Sequence, residues 1–264
     1  MNYLIEHGFE HYERWLILLG YKYYTFTYSF PRDACKDSIL SMPEDTVIFC
    51  GARAGKYIKR QLKPNFIPGC LIPENLTEYD LFLNNCPKEL CLNDTYKILT
   101  TEEAFSSSKS LFENMGPFFL RPTSGYKPFD AIKIRKKDEA IELGYMLDTP
   151  HNQPNAKVAV CPLKIVGDEY RFYIVNNQIL ASASYLPEEG LEAPHDMITF
   201  VNDIVMPWAK NYCLNDFVSY TVDVTETKHG FRIVEFNSIS GSGVYRDDIT
   251  PLIINAVKVL GTDL

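Results

Sequence analysis

The sequence predicts an α+β protein built in two parts, and three observations carry that reading. Strand and helix signals alternate through the first half, β-hairpin signals dominate the second, and 264 residues exceed the usual size of one domain. With 46% hydrophobic residues the chain can bury a sizeable core.

In the first half, residues 9–19 have the apolar spacing of an amphipathic helix stopped by Gly20, and 21–28 form a β-rich aromatic run. Residues 46–50, then Gly51, then 53–62 read as strand, turn and helix, which makes an α/β pattern. Pro64, Pro68, Pro73 and Pro87 punctuate the stretch to Cys91, where little periodicity predicts an irregular connection.

The second half opens on a strand, Phe118–Pro122, that ends in the basic Arg121. A small loop from Thr123 to Lys127 follows, then a strand near 131–134 and a helix from Asp138 to Met146. Residues 158–161 form a compact apolar strand. Glu169–Val175 and 178–185 predict a hairpin about Asn176 and Asn177. Simple alternation puts Tyr170, Phe172 and Ile174 with Ile179, Ala181 and Ala183, and puts Glu169, Arg171 and Tyr173 with Ser182 and Ser184. Asp196 is a candidate cap for a helix whose Ile198, Val201, Val205, Trp208 and Tyr212 follow helical spacing, with a kink expected at Pro207. The last helix has Thr250 as its cap, Pro251 in its first turn and Gly261 at its end.

Composition excludes several function classes. A net charge of −8, from 34 acids against 26 bases, argues against bulk nucleic-acid binding and leaves any anion site dependent on a local basic cluster. Seven cysteines, odd in number and scattered without a Cys-x-x-Cys pair, disfavour a disulfide framework and a structural zinc, and fit a reducing cytoplasm. The apolar run at 15–19 is too short for a signal sequence or membrane span and follows Glu6, Glu10 and Glu13, so a soluble, cytoplasmic protein without a membrane partner is expected. Five dispersed histidines disfavour a Ser-His-Asp or His-metal site.

The chemistry-bearing pattern lies at 217–237. Two β-rich runs flank Lys228, His229 and Gly230, a three-residue loop ending in the glycine a left-handed position prefers. That loop pairs Thr227 with Phe231 and therefore sets Asp223 opposite Glu235, with Asn237 two residues further along the same face. Like charges roughly 5 Å apart on one face are destabilising unless neutralised, and a divalent cation neutralises them. The three side chains offer the oxygen ligands that magnesium takes beside waters and phosphates. A solvated strand face with scattered acids fits the same residues, and both readings stand at this point.

Arg121 and Lys127 can approach a phosphate chain from two sides of the loop, with backbone amides of Ser124 and Gly125 as further donors. They can equally be ordinary surface bases. Arg171 can present a cationic fork to a phosphate or carboxylate while Glu169 takes a ribose hydroxyl, or the two can be a solvent-facing charged pair. The small residues Ser238 to Gly243, with Ser240 and Gly241 at their centre and Arg246 beyond, can hold an acyl phosphate or an acceptor carboxylate, or form a plain loop.

Three segments taken together, FFLRPTSGYKPF at 118–129, VCPLKIVGDEYRFYIVNNQILASASY at 160–185 and YTVDVTETKHGFRIVEFNSISGSGVY at 220–245, resemble the ATP-grasp superfamily. More narrowly, they resemble a divergent clade of it found in bacteria and bacteriophages. The resemblance implies an ATP-grasp fold at 96–264 in which two α+β lobes, about 96–160 and about 161–264, clasp a nucleotide. It also implies a preceding α/β pre-ATP-grasp domain at 1–95, a likeness carried only by Pro68-Gly69 and Leu92-Asn93. By position it gives Arg121 the place where these enzymes usually have Lys, Lys127 the phosphate loop, Cys161 and Leu163 the hinge beside adenine, and Glu169 the ribose. Asp223, Glu235 and Asn237 match the magnesium ligands. The implied activity is an ATP- and Mg²⁺-dependent carboxylate–amine ligase working through an acyl phosphate, with Arg171 and Lys127 catalytic and an amino acid or peptide as partner. The alternative is a catalytically silent nucleotide-binding module.

Overall fold

A computed structural model describes residues 2–27, 42–43, 46–51, 54–55, 58, 74–125, 129–145, 155–185, 191–213, 219–239 and 242–260. They fall into two compact units, one formed by Met1–Pro73, Asp168–Val224 and Phe236–Leu264, the other by Glu74–Gly167 and Thr225–Glu235.

The first unit begins with β1 (Asn2–Glu6), α1 (Glu10–Leu18), β2 (Tyr23–Phe26) and β3 (Thr46–Phe49). These strands are all parallel in the order β2-β1-β3, the arrangement that strand–helix alternation demands. Helix α1 buries Tyr12 and Leu16, and Gly20 at φ +71° lets the chain turn so that the Tyr21 amide reaches the Leu16 carbonyl at 2.9 Å. From the same unit, Tyr173, Val175, Ile253, Ile254 and Val257 join Tyr3, Ile5, Tyr12, Leu16, Val47 and Phe49 in one buried cluster.

The second unit holds α2 (Glu74–Thr77), α3 (Tyr79–Asn85), β4 (Lys97–Thr100), α4 (Thr101–Ser106), α5 (Ser108–Met115), β5 (Phe118–Pro122), β6 (Ile132–Ile134), α6 (Lys137–Tyr145) and β7 (Lys157–Pro162). Its sheet is antiparallel in the order β4-β7-β5-β6. Phe118, Leu120, Val158 and Val160 pack with Ala104, Leu111, Ala140 and Leu143 to form its core. A capping box starts α4, in which Thr100 accepts from the Glu103 amide and Glu103 accepts from the Thr100 amide.

A further sheet has the order β11-β10-β8-β9, from β8 (Glu169–Val175), β9 (Gln178–Ser184), β10 (Ser219–Thr227) and β11 (Gly230–Asn237). Helices α7 (His195–Phe200), α8 (Met206–Cys213) and α9 (Ile249–Leu260) complete the described elements.

Four expectations are corrected. The supposedly irregular connection carries α2 and α3, because Tyr79, Phe82 and Leu83 recur at helical spacing and are buried; its residues 64–73 lie outside the described ones. The β8–β9 hairpin turns at Asn176 and Asn177, both in the left-handed region as a type I′ turn requires, but a bulge between Tyr173 and Ile174 shifts the register. Arg171 therefore pairs with Ala183 and Tyr173 with Ala181, while Tyr170 and Phe172 pair with Ser184 and Ser182, and β8 is buried on both faces. Pro207 sits in the first turn of α8, just after a π-helical turn at Val201–Val205, where its missing amide hydrogen breaks no ladder. Asp196 and Thr250 lie inside the first turns of their helices rather than at the caps, and Asp196 accepts from the Met197 amide at 3.0 Å. Of the helix expected at 53–62, residues 54, 55 and 58 are helical and the others lie outside the described residues, as do Met146 and Gly261.

Candidate functional site

Strand β10 is buried over Ser219 to Thr225, so Asp223 is an acid with no exposure at all. An ionised carboxylate in such a place needs both a counter-charge and hydrogen bonds. Arg171, projecting from β8 in the same unit, supplies both: its Nε donates to Asp223 Oδ1 at 2.8 Å and its Nη2 to Oδ2 at 2.7 Å. The Tyr185 hydroxyl, at the end of β9, donates to Oδ2 at 2.8 Å and itself accepts from Arg171 Nη2. Burial pulls the guanidinium pKa down, but Asp223 outweighs it and holds Arg171 above its usual value. Burial and the Asp223 charge push the Tyr185 phenol well up, so it is protonated at neutral pH.

The turn that follows β11 is tied to this cluster. Tyr173 donates its hydroxyl to the Gly243 carbonyl at 2.9 Å, Arg171 Nη1 donates to the same carbonyl at 3.3 Å, and Ser242 hydrogen-bonds Thr221 at 2.8 Å. Thr221 also donates to the Asn237 carbonyl at 3.4 Å, the neighbour relation that the derived β10–β11 register requires. Gly230, at φ +89°, occupies the left-handed position that the hairpin loop predicts.

In the second unit Arg121 is also buried and also carries an acid: Nη2 lies 2.6 Å from Glu235 Oε2. Its guanidinium lies 3.9 Å from the centroid of the Tyr79 ring, and Asn93 in turn fixes the Tyr79 hydroxyl at 2.7 Å. Burial opposes the Arg121 charge, and Glu235 overrides it to give a raised pKa. Nothing in the sequence of 64–91 signals Tyr79 as a partner for Arg121. Gly125 is required where it stands, because a Cβ there meets the Thr77 Cβ at 3.1 Å and its carbonyl at 3.3 Å. Lys127, Ser240 and Gly241 lie outside the described residues.

At the hinge, Cys161 is a buried residue of β7 whose thiol burial pushes up to about 12, which removes it from nucleophilic chemistry. The Leu163 amide donates to the Pro117 carbonyl at 2.9 Å, and the Gly167 amide to Glu226 at 2.8 Å. Beside the stretch between them, a cavity of about 790 Å³ is lined by Lys164, Ile165, Val166, Glu226, Lys228 and Arg232 among others. None of the sequence-predicted site residues lines it. Glu169 starts β8 and its carbonyl accepts from Tyr185 at 2.9 Å. Arg246 forks onto Asp248 at 3.0 and 2.6 Å and reaches Glu192 at 3.2 Å.

The donor chemistry of Asp223, Glu235 and Asn237 fits a hard divalent cation, since all three offer oxygen. A carboxylate has about four lone-pair positions, room for a guanidinium and a cation together. Among the described residues no group of three or more His, Cys, Asp or Glu side chains could hold a metal; the expected set contains only two such residues. No helix among the described residues is long and apolar enough to cross a membrane.

Solved structures with the same fold include D-alanine–D-alanine ligase from Bacillus anthracis, at TM-score 0.67 and 14% identity over 100% of this chain and 99% of that one. A RimK domain ATP-grasp protein from Sphaerobacter thermophilus gives 0.63 and 10% over 99% and 98%. The ATP-grasp ligase PsnB, in complex with a phosphomimetic variant of its minimal precursor, Mg and ADP, gives 0.53 and 13% over 97% and 98%. No curated protein matches the sequence. At these identities the likeness establishes the ATP-grasp fold, and a family model narrows it. Residues 86–257, well over half of the sequence, match the model of an ATP-grasp domain, the third family of its clade, and the chain belongs to that ATP-grasp family.

Proposed function

We propose that this protein is an ATP- and Mg²⁺-dependent carboxylate–amine ligase. The observation that carries the reading is the pair of buried acids on adjacent strands, Asp223 on β10 and Glu235 on β11, in a chain of the ATP-grasp family. Buried charges of this kind are costly and concentrate at functional sites. Asp223, Glu235 and Asn237 would hold the magnesium, which screens phosphate charge when bound. Arg121 and Lys127 would grip the phosphates with the amides of Ser124 and Gly125.

The hinge supports a refinement. The Leu163 and Gly167 amides are committed within their unit, whereas those of Lys164, Ile165 and Val166 make no backbone hydrogen bond among the described residues and border the cavity. The adenine edge would be read there, beside Cys161 and Leu163, with Glu169 at the ribose. A substrate carboxylate oxygen attacks the γ-phosphorus and ADP leaves; an amine then attacks the acyl carbon and phosphate leaves. Arg171, the turn at Ser240 and Gly241, and Arg246 would hold the carboxylate end. Positioning and charge neutralisation carry this chemistry, so no side-chain nucleophile is needed. The substrates in this reading are an amino acid or short peptide, in a soluble protein of the cytoplasm.

A second reading, a nucleotide-binding module without turnover, draws on the guanidinium already facing each acid. ADP release from Mg-ATP, screened against amino acids and short peptides, separates the two. Release that depends on an added carboxylate and amine is expected, and is lost in Asp223→Asn and Glu235→Gln. Nucleotide binding without such release would overturn the ligase reading.

A further inference from the structure

Arg171 has five N–H donors. Four are engaged: Nε and one Nη2 hydrogen by Asp223, the second Nη2 hydrogen by the Tyr185 hydroxyl, and one Nη1 hydrogen by the Gly243 carbonyl. The fifth, on Nη1, has no partner among the described residues, although the side chain is only 5% exposed. A buried guanidinium with one donor left over is set up to hydrogen-bond something that enters.

What keeps the open donor on Nη1 is the ring pair around Arg171. Its Cζ lies 5.0 Å from the centroid of Tyr185 and 5.1 Å from that of Tyr245, and the two rings are 4.6 Å apart. Tyr185 also bridges the ion pair, accepting from Nη2 and donating to Asp223 Oδ2. The Gly243 side of Nη1 is roomy: a Cβ placed there lies 3.8 Å from Nη1 and 3.6 Å from the Tyr245 ring, ordinary contact distances.

We propose that Tyr185 is a positioning residue, whose phenol locks the Arg171 guanidinium in one orientation and so reserves the second Nη1 hydrogen for the substrate carboxylate beside Gly243. This rests on the ligase reading for the identity of the ligand but not for the locking itself. Tyr185→Phe removes one oxygen and leaves the bidentate Arg171–Asp223 pair, so the fold is retained. In ¹⁵N-labelled full-length protein, NMR of the arginine side chains is expected to show slow Nη rotation for Arg171 in the wild type and faster rotation in Tyr185→Phe. The same variant loses about 10- to 100-fold in kcat with KM for ATP unchanged, as expected for a misplaced group. Gly243→Ala, which fills the space beside Nη1 without a clash, raises KM for the carboxylate substrate at unchanged melting temperature.

Unchanged Arg171 rotation in Tyr185→Phe overturns the inference whether or not any turnover is found, and so does freed rotation with wild-type kcat. If the wild type itself releases no ADP with any substrate, the ligase reading fails alone, and the rotation measurement still decides whether the phenol holds the guanidinium.

Discussion

At the residue scale the molecule is organised around two arginine–carboxylate pairs, and their energetics differ from those of surface bridges. An exposed pair contributes about 0–1 kcal/mol, but removing one partner of a buried pair strands the other charge and costs roughly 3–5 kcal/mol. Arg121→Met should therefore destabilise the protein by about that amount in urea titration, whereas Arg121→Met with Glu235→Leu should recover most of the loss. An equal loss in single and double variants would show that Tyr79 stacking, not the charge, holds Arg121. A separate residue sets the acid limit. Burial lowers the His11 pKa below the usual imidazole value of about 6.5, with Glu10 opposing. The unfolded chain then binds the proton more tightly than the folded one, so stability is complete above about pH 6.5 and is lost as pH falls through the lower folded value. The thermal midpoint should drop between about pH 7 and pH 5, the window below the imidazole reference value, and His11→Asn should flatten that drop; an identical pH profile in the variant would assign it to other groups.

At the element scale, hairpins show how much of the site was readable. Loop chemistry gave both turns: Asn176 and Asn177 adopt the left-handed pair, and Gly230 the single left-handed position. Gly230→Ala should cost about 1–2 kcal/mol, the penalty of a Cβ at positive φ, measured as a shift in urea midpoint at constant slope. A neutral result would mean that the loop relaxes to another turn type. The face assignment of β8 was not readable, because a bulge at Tyr173 and Ile174 leaves no composition signal and moves every later partner by one. That single residue is why Arg171 stands opposite Ala183 and turns to Asp223 instead of lining up with the serines. Likewise the acids and bases at 121, 171, 223 and 235 were legible as a set. Their pairing was not, since ion pairs between residues 52 or 114 positions apart depend on packing that no local pattern encodes.

At the scale of the whole molecule, the division into units follows contacts rather than chain order. Residues 1–73 contribute Tyr3, Ile5, Tyr12, Leu16, Val47 and Phe49 to a core whose other members, among them Tyr173, Val175, Ile253 and Val257, come from the far end of the sequence. A fragment starting at residue 96 would lack half of that cluster while keeping the other half, leaving large apolar side chains without partners at about 25 cal/mol per Å² of newly exposed area. We therefore expect the 96–264 fragment, expressed alone, to bind a hydrophobic dye and to lose the near-ultraviolet signal of packed aromatics, while the full chain unfolds cooperatively. Adding residues 1–95 as a separate chain should restore part of the packing if association can replace the covalent link. A 96–264 fragment with a sharp thermal transition and no dye binding would mean that its own sheet closes without β1 and β3, and that the N-terminal segment is an independent domain.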